Sequence, residues 1–180
     1  DFQSGRTLDL DASYEVLKDA VETAGLTCIR GDEIRQSGSI DRTMYEQLLG
    51  ADLVIADLST SNVNAFYELG VRFALRPRAT IVVAENKITF HFDVNHIKIQ
   101  TYEHLGRDIG VREAKRFKEV LVNLIREIMR NERTDSPVFT YLPNLTPPAA
   151  ELPKAAVMEA QDAGPTLRDL NQQAREARNR

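Results

Sequence analysis

Hydrophobic residues recur every three or four positions in four stretches of the chain, a spacing typical of amphipathic helices. The first stretch covers residues 12–24, with Asp11 as its predicted N-cap and Gly25 as the residue that ends it. The same spacing predicts helices over 40–49, 64–75 and 111–130. Pro77 prevents the third of these from continuing, because proline lacks the backbone donor that a helix needs.

Short apolar runs alternate with these helices. Residues 53–57 and 79–84 are continuously apolar at their centres, as expected of strands that are covered on both faces. Residues 26–30 and 97–101 are further β-prone segments. We expect 26–30, 53–57 and 79–84 to be neighbouring parallel strands with helices on both sides. The pattern therefore predicts an α/β fold, a flavodoxin- or Rossmann-like three-layer sandwich.

The two ends of the chain differ from this pattern. Residues 1–10 are mostly polar and lead directly into a helix, whereas a parallel α/β domain normally opens with a strand. We therefore expect a first strand that this sequence does not contain. The proline-rich stretch 143–148 marks the other boundary. We expect one domain over 1–146, followed by a linker and helical tail over 147–180.

The tail is poor in large apolar residues. Burial of such residues is what offsets the entropy lost on ordering a segment, so we expect the tail to pack weakly on the domain. It is interpreted as a surface for protein partners, for adjoining helical repeats or for a second copy of the chain.

Composition narrows the class of protein. A formal net charge of −4 gives no field that attracts a polyanion, so nucleic acid is not an expected partner. No apolar run approaches the roughly 18 residues that span a bilayer, so no membrane segment is expected. Cys28 is the only cysteine, which excludes an internal disulfide and fits a reducing, cytoplasmic compartment. We interpret Cys28 as a core residue, and the spacing of the three histidines predicts no metal site.

Candidate chemistry lies where the strand at 53–57 passes into the next helix, because ligands of open α/β sheets bind beyond the carboxyl ends of the strands. The polar side chains of this segment are those of Asp57, Ser59, Thr60, Asn62, Asn64, Tyr67 and Glu68. Carboxylates accept hydrogen bonds from ribose hydroxyls, and a helix N-terminus binds anions. The cluster therefore suits a sugar or nucleotide. A polar loop over 31–38 and Arg6 are predicted to lie at the same edge, the loop either closing over the ligand or solvated.

Glu68 is the candidate catalytic carboxylate. A nearby helix N-terminus is expected to lower the pKa of Glu68 and keep it ionised, which suits a nucleophile or a stabiliser of an oxocarbenium-like centre. The structural alternative is that these residues are ordinary helix caps and dipole compensation. If Asn64 is the cap, Glu68 lies one residue past the capping-box position, so capping does not explain it. Arg72, Arg76 and Arg78 are interpreted as a solvated helix end.

Six blocks of sequence resemble one family. They are SGRTLDLD at 4–11, AGLTCIR at 24–30, DLVIADLST at 52–60, NAFYELGVR at 64–72, YEHLG at 102–106 and DSPVFTYLP at 135–143. In this order they are similar to the TRAFs-binding domain family of apoptosis signal-regulating kinases and of bacterial proteins with helical repeats. That family resembles the wider group of TIR domains and nucleoside 2-deoxyribosyltransferases. The resemblance implies a flavodoxin-like sheet, Glu68 as the carboxylate that acts on an N-glycosidic bond, and sugar contacts from Asp57 and Asn64.

Two functions remain open at this point. The first is a signalling or effector domain that cleaves an N-glycosidic bond of NAD or a nucleoside through Glu68, with no other cofactor. The second is a non-catalytic regulatory scaffold that binds protein partners and adjoins helical repeats. A pocket beside Glu68 that admits a ribose would favour the first, and a filled apolar surround would favour the second.

Overall fold

The structure is a computed structural model that describes residues 6–31, 40–88 and 97–149 of the 180-residue chain. The chain divides into two compact units, Asp1–Pro148 and Ala149–Arg180. The predicted helical tail and the loop at 32–38 lie outside the described residues, so expectations about them stay predictions.

The described part of the first unit contains five helices and three strands. In chain order they are α1 (Leu10–Thr23), α2 (Ile40–Gly50), β1 (Val54–Asp57), α3 (Val63–Leu75), β2 (Thr80–Glu85), β3 (Ile99–Tyr102), α4 (Val111–Arg130) and α5 (Pro137–Tyr141). The four predicted helices are confirmed within two residues at each end. The short α5 was not predicted from periodicity; Ser136 caps it and Pro137 stands in its first turn, where the missing backbone donor of proline costs nothing.

The three strands form one parallel sheet in the order β1-β2-β3. Val54 is paired with Thr80, and Val82 with Ile99. All six residues of β2 are buried, because this strand has a neighbour on each side and helices on each face. The predicted parallel pairing of the strands at 53–57 and 79–84 is confirmed, and the chain has an α/β fold.

The prediction of a strand at 26–30 is wrong for the described structure. This segment belongs to no strand of the sheet, although its half-buried residues Leu26 and Cys28 alternate with the exposed Thr27 and Ile29. The alternation is that of a strand, but a strand requires a hydrogen-bonded neighbour. The described residues place no strand beside 26–30.

Two hydrophobic clusters cover opposite faces of the sheet. The first joins α1 and α4 to one face through residues such as Val21, Ile81 and Phe117. The second joins α3 to the other face through residues such as Phe73 and Val82, with α5 packed against it. Ile81 and Val82 are consecutive in β2 and point to opposite faces, as the period of a strand requires. Helix α2 packs beside α3.

The helix ends differ from the predictions by small shifts. Asp9, and not Asp11, is the N-cap of α1, and its carboxylate accepts a hydrogen bond from the Asp11 amide at 3.1 Å. Gly25 follows the end of α1 with φ +94°, in agreement with the predicted left-handed residue. Asn62, and not Asn64, caps α3, since its side-chain oxygen accepts from the Asn64 amide at 2.9 Å.

Among the described residues, no helix is both long enough and apolar enough to cross a bilayer.

Candidate functional site

A buried hydrogen-bond network joins the carboxyl ends of the three strands. Asp57 ends β1, and its carboxylate accepts hydrogen bonds from the Ser59 amide at 2.9 Å, from the Ser59 hydroxyl, and from the Tyr102 hydroxyl at 2.8 Å. The Ser59 oxygen accepts in turn from the Glu85 amide at 2.8 Å. Tyr102 ends β3 and Glu85 ends β2. The residues at this edge therefore hold one another in place.

The electrostatics of this network follow from its burial. Burial raises the pKa of Asp57, although hydrogen bonds from Ser59 and Tyr102 oppose the rise by stabilising the carboxylate. Burial and the neighbouring Asp57 together raise the pKa of Tyr102 far above its usual range. Tyr102 therefore keeps its proton and remains a hydrogen-bond donor to Asp57.

A cavity of about 910 Å³ runs along the outer edge of β1. Residues of segment 25–31, of α1 and of α2 also line it. Asp57 and Glu68 both line it. This volume lies at the upper end of the range of small-molecule sites. The structure thus provides a pocket beside Glu68. Apolar side chains of the described residues do not fill this pocket.

Glu68 is the sixth residue of α3, which begins at Val63. Its side chain makes no hydrogen bond or ion pair with any other described residue. Partial burial raises the pKa of Glu68, so the expected lowering by the helix N-terminus is wrong. The reason is distance along the helix, because the favourable field of the free backbone N–H groups is confined to the first turn.

The loop between β1 and α3 holds a second polar group without a partner. The Ser61 hydroxyl is buried and finds no hydrogen-bond partner among the described residues. Ser61 also has φ 53°, a left-handed conformation that is uncommon for residues other than glycine. Thr60 beside it is half-buried. Buried polar groups are nearly always satisfied, but Ser61 does not line the cavity, so its hydroxyl is not assigned to the ligand.

The other predicted contacts on α3 are less favourably placed. Asn62 is engaged in capping, and Asn64 is exposed. Tyr67 is 56% exposed, and its hydroxyl bonds to that of Tyr45 in α2 at 2.5 Å. Neither Asn64 nor Tyr67 lines the cavity. The structure therefore groups Asp57 with Ser59, brings Glu68 to the same cavity as Asp57, and leaves Asn64 and Tyr67 on the surface.

Arg6 lies at the carboxyl edge of the sheet, as predicted, but its guanidinium is held by protein groups. It forms an ion pair with Glu85 at 2.9 Å and donates to the His104 carbonyl at 3.0 Å. The His104 ring accepts from the Gly106 amide at Nδ1, so Nε2 donates to the Asp9 carbonyl at 2.9 Å. These contacts fasten the segment before α1 to the ends of β2 and β3.

Sequence reasoning missed Glu85 and Tyr102 in this site. The rule that selects the carboxyl ends of strands finds both, since they end β2 and β3. The predicted strand ends at 84 and 101 stopped one residue short of each. A strand prediction that is accurate to within a residue is therefore still too coarse to assign site residues.

Arg72 corrects another expectation. It is fully buried and donates to the carbonyls of Leu48 at 2.6 Å, of Ala51 at 3.1 Å and of Ala79 at 3.1 Å. Burial, with a smaller contribution from Arg76, lowers the pKa of Arg72 to about 10. The interpretation as a solvated helix end is wrong for Arg72, which instead joins the end of α2 to the start of β2.

The described residues contain no group of three or more His, Cys, Asp or Glu side chains arranged to hold a metal ion. Comparison with known proteins found no matching family model, no matching curated protein and no matching solved structure.

Proposed function

We propose that this chain is a nucleotide-binding, TIR-like signalling or effector domain of flavodoxin-like topology that cleaves an N-glycosidic bond through Glu68. The observation that carries the proposal is the placement of the Glu68 carboxylate, which has no partner among the described residues and lines a cavity of about 910 Å³ that Asp57 also lines. The resemblance to deoxyribosyltransferases and catalytic TIR domains supports the same residue.

The environment of Glu68 suits this chemistry. A carboxylate that is partly removed from water has a raised pKa, so its ionised form is a stronger base and nucleophile. Ionised Glu68 would attack the anomeric carbon of a ribose as the bond from that carbon to the base nitrogen breaks. The bonding electrons leave with the base, and water then hydrolyses the sugar ester and restores the carboxylate. NAD suits this route, because nicotinamide leaves as a neutral molecule.

The test is to incubate the full-length protein with NAD and with purine and pyrimidine nucleosides, and to measure release of free base. Glu68→Gln keeps the size of the side chain but loses its charge, so we expect release to be abolished with an unchanged melting temperature. Glu127→Gln, at an exposed position of α4, is the matched control and should retain full activity.

The pH profile supplies a second readout for the active protein. Activity requires ionised Glu68, whose pKa is raised above the ordinary value of 4.5. The acidic limb of the rate profile should therefore have an apparent pKa above 4.5. Equal base release by wild type and Glu68→Gln would remove Glu68 from the mechanism.

A non-catalytic scaffold is the second candidate, and one surface favours it. Val63 is 77% exposed and Tyr67 is 56% exposed on the same side of α3, since residues four apart share a helix face. Tyr45 of α2 adjoins them through its hydroxyl contact with Tyr67. Exposed aromatic and aliphatic groups of this kind suit a protein partner. No base release by either protein, with natural partners present, would favour this function.

A further inference from the structure

The cavity beside Glu68 is lined by charged groups of both signs. The carboxyl groups are those of Asp52, Asp57 and Glu68. Among the described residues that line the cavity, Arg30 has the one positively charged side chain. A carboxylate repels an anionic group of a ligand, whereas a guanidinium attracts it. The charges therefore favour a phosphate at Arg30 and the neutral parts of a nucleotide elsewhere in the cavity.

The contacts of Arg30 place it beside the start of α1. Its guanidinium donates to the Asp11 carboxylate at 2.5 Å, and its Cζ atom lies 4.9 Å from the centre of the Tyr14 ring. The Asp9 amide, just before α1, donates to the Gly106 carbonyl at 2.8 Å. Gly106 follows the carboxyl end of β3. Arg30 therefore lies at the edge of the sheet where the strands have their carboxyl ends.

Glu68 lies at the same edge of the sheet. Asp57 is the carboxyl-terminal residue of β1, and α3 is the next element of the chain. Glu68 is in the second turn of α3, so it lies near the carboxyl end of β1. The cavity is thus lined by Glu68 from α3 and by Arg30 from the segment that follows α1. A ligand in this cavity can contact both groups.

The ion pair between Arg30 and Asp11 is one that a phosphate can replace. The Asp11 side chain is 76% exposed and that of Arg30 is 30% exposed. Ion pairs at such exposed positions contribute little stability, because water solvates both charges. The Tyr14 ring holds the guanidinium by a cation–π contact, which does not depend on Asp11. A planar guanidinium can bind two phosphate oxygens at once, so a phosphate can displace the Asp11 carboxylate from Nη1.

We propose that Arg30 binds the 5′-phosphate of the ribose whose N-glycosidic bond Glu68 attacks, an inference that rests on the proposed function. The substrate is then a 5′-phosphorylated nucleotide, and the corresponding nucleoside is a poor substrate. Binding of the phosphate at Arg30 also orients the sugar, because Asp57 and Glu68 disfavour the reverse orientation by repelling the phosphate. Arg30 therefore determines both the class of substrate and the direction in which the ribose enters the cavity.

Two pairs of compounds that differ only in the 5′-phosphate test this inference. They are nicotinamide mononucleotide with nicotinamide riboside, and adenosine 5′-monophosphate with adenosine. Release of free base is measured with the full-length protein. We expect kcat/KM to be at least about 10-fold higher for the phosphorylated member of a pair that reacts. Arg30→Gln should raise KM for that member by at least about 10-fold and leave kcat unchanged, because the phosphate contact is equal in the ground state and the transition state.

Three further variants separate phosphate binding from a structural role of Arg30. Arg30→Lys keeps the charge but not the planar guanidinium, so its KM should be intermediate. Arg107→Gln is the matched control, since Arg107 is exposed, adjoins Gly106 and does not line the cavity; its KM should be that of wild type. Asp11→Asn should lower KM for the phosphorylated member by about 2-fold, because it removes the carboxylate that competes with the phosphate. Equal weakening by Asp11→Asn and Arg30→Gln would overturn the inference.

Calorimetric binding of the same compounds distinguishes a failure of this inference from a failure of the proposed function. If no base is released but Arg30→Gln weakens binding of a phosphorylated member by at least about 10-fold, Arg30 binds phosphate and the proposed cleavage is wrong. If base is released equally well from both members of a pair and Arg30→Gln changes neither value, the cleavage stands and the role of Arg30 is wrong. Failure of the full-length protein to bind either phosphorylated compound would also overturn the inference.

Discussion

At the scale of single residues, two charged groups of the described domain show how backbone and hydroxyl groups can satisfy a charge that is removed from water. Asp57 is surrounded by donors from Ser59 and Tyr102, and Arg72 by backbone carbonyls. Glu68 differs from both, because its half-buried carboxylate has no such partner among the described residues. A charged group that is partly removed from water without a structural partner is a candidate for function. Glu68 is such a group, whereas Asp57 and Arg72 have structural partners.

The pH dependence of stability should report the burial of Asp57. Its pKa in the folded state is raised above the usual 3.8, so the folded state holds the proton more tightly than the unfolded state. The stabilisation is complete below pH 3.8 and is lost as the pH rises through the folded pKa. Asp57→Asn keeps the acceptor for Ser59 without a charge, so it should gain stability relative to wild type as the pH rises to neutral.

Urea denaturation at several pH values measures this difference. Asp108→Asn, at an exposed position, should show no such pH-dependent gain. If Asp57→Asn changes the free energy of unfolding by the same amount at every pH, the pKa of Asp57 is not raised in the folded state and the prediction is wrong.

Replacement of Arg72 should be severely destabilising. Arg72→Met fills much of the same volume but leaves the carbonyls of Leu48 and Ala51 without their donor, whereas the Ala79 carbonyl keeps its hydrogen bond from the Val54 amide. Each unsatisfied group costs about 1–3 kcal/mol, so the free energy of unfolding should fall by at least about 2 kcal/mol. Arg76→Met, at a half-buried position four residues away, should change it by less than about 0.5 kcal/mol. Similar values for the two variants would contradict this role of Arg72.

At the scale of elements, the ends of helices depend on single backbone conformations. Gly25 and Gly70 both have open space where a Cβ would be added, but only Gly25 has a positive φ, +94°. Gly25→Ala should therefore lower stability by about 1–2 kcal/mol. Gly70→Ala, inside α3, should raise stability by about 0.5–1 kcal/mol, because alanine loses less backbone entropy on forming a helix.

Thermal unfolding measures both effects. We expect the melting temperature to fall for Gly25→Ala and to rise for Gly70→Ala. A stabilising Gly25→Ala would mean that the segment after α1 does not need the left-handed conformation.

At the scale of the whole molecule, the hydrophobic clusters of the described residues lie between Val16 and Val138. Deletion of residues 149–180 removes none of these side chains. We expect the shortened chain to unfold with a free energy within about 0.5 kcal/mol of the original, as measured by urea denaturation. A loss of more than about 1 kcal/mol would show that the second unit contributes to the stability of the first.

The candidate site was predictable in its location but not in its chemistry. The position of Asp57 at the end of a buried strand follows from a continuous apolar run bounded by polar residues. The role of Asp57 does not follow, because it depends on Tyr102, which is 45 positions away in sequence. The pKa of Glu68 was predicted in the wrong direction for the same reason: the register of α3 and the depth of its burial depend on neighbouring elements.

The sequence by itself determined the four longer helices and the strands β1 and β2 with their parallel pairing, because periodicity and apolar runs act over a few neighbouring residues. Tertiary structure alone decided the state of 26–30, whose alternating pattern is that of a strand but whose hydrogen bonds depend on a neighbour. It also decided the burial of Arg72, since only the folded chain brings the end of α2 and the start of β2 to one guanidinium. The local pattern predicts which secondary structure a segment can form, whereas its contacts with other elements determine which one it does form.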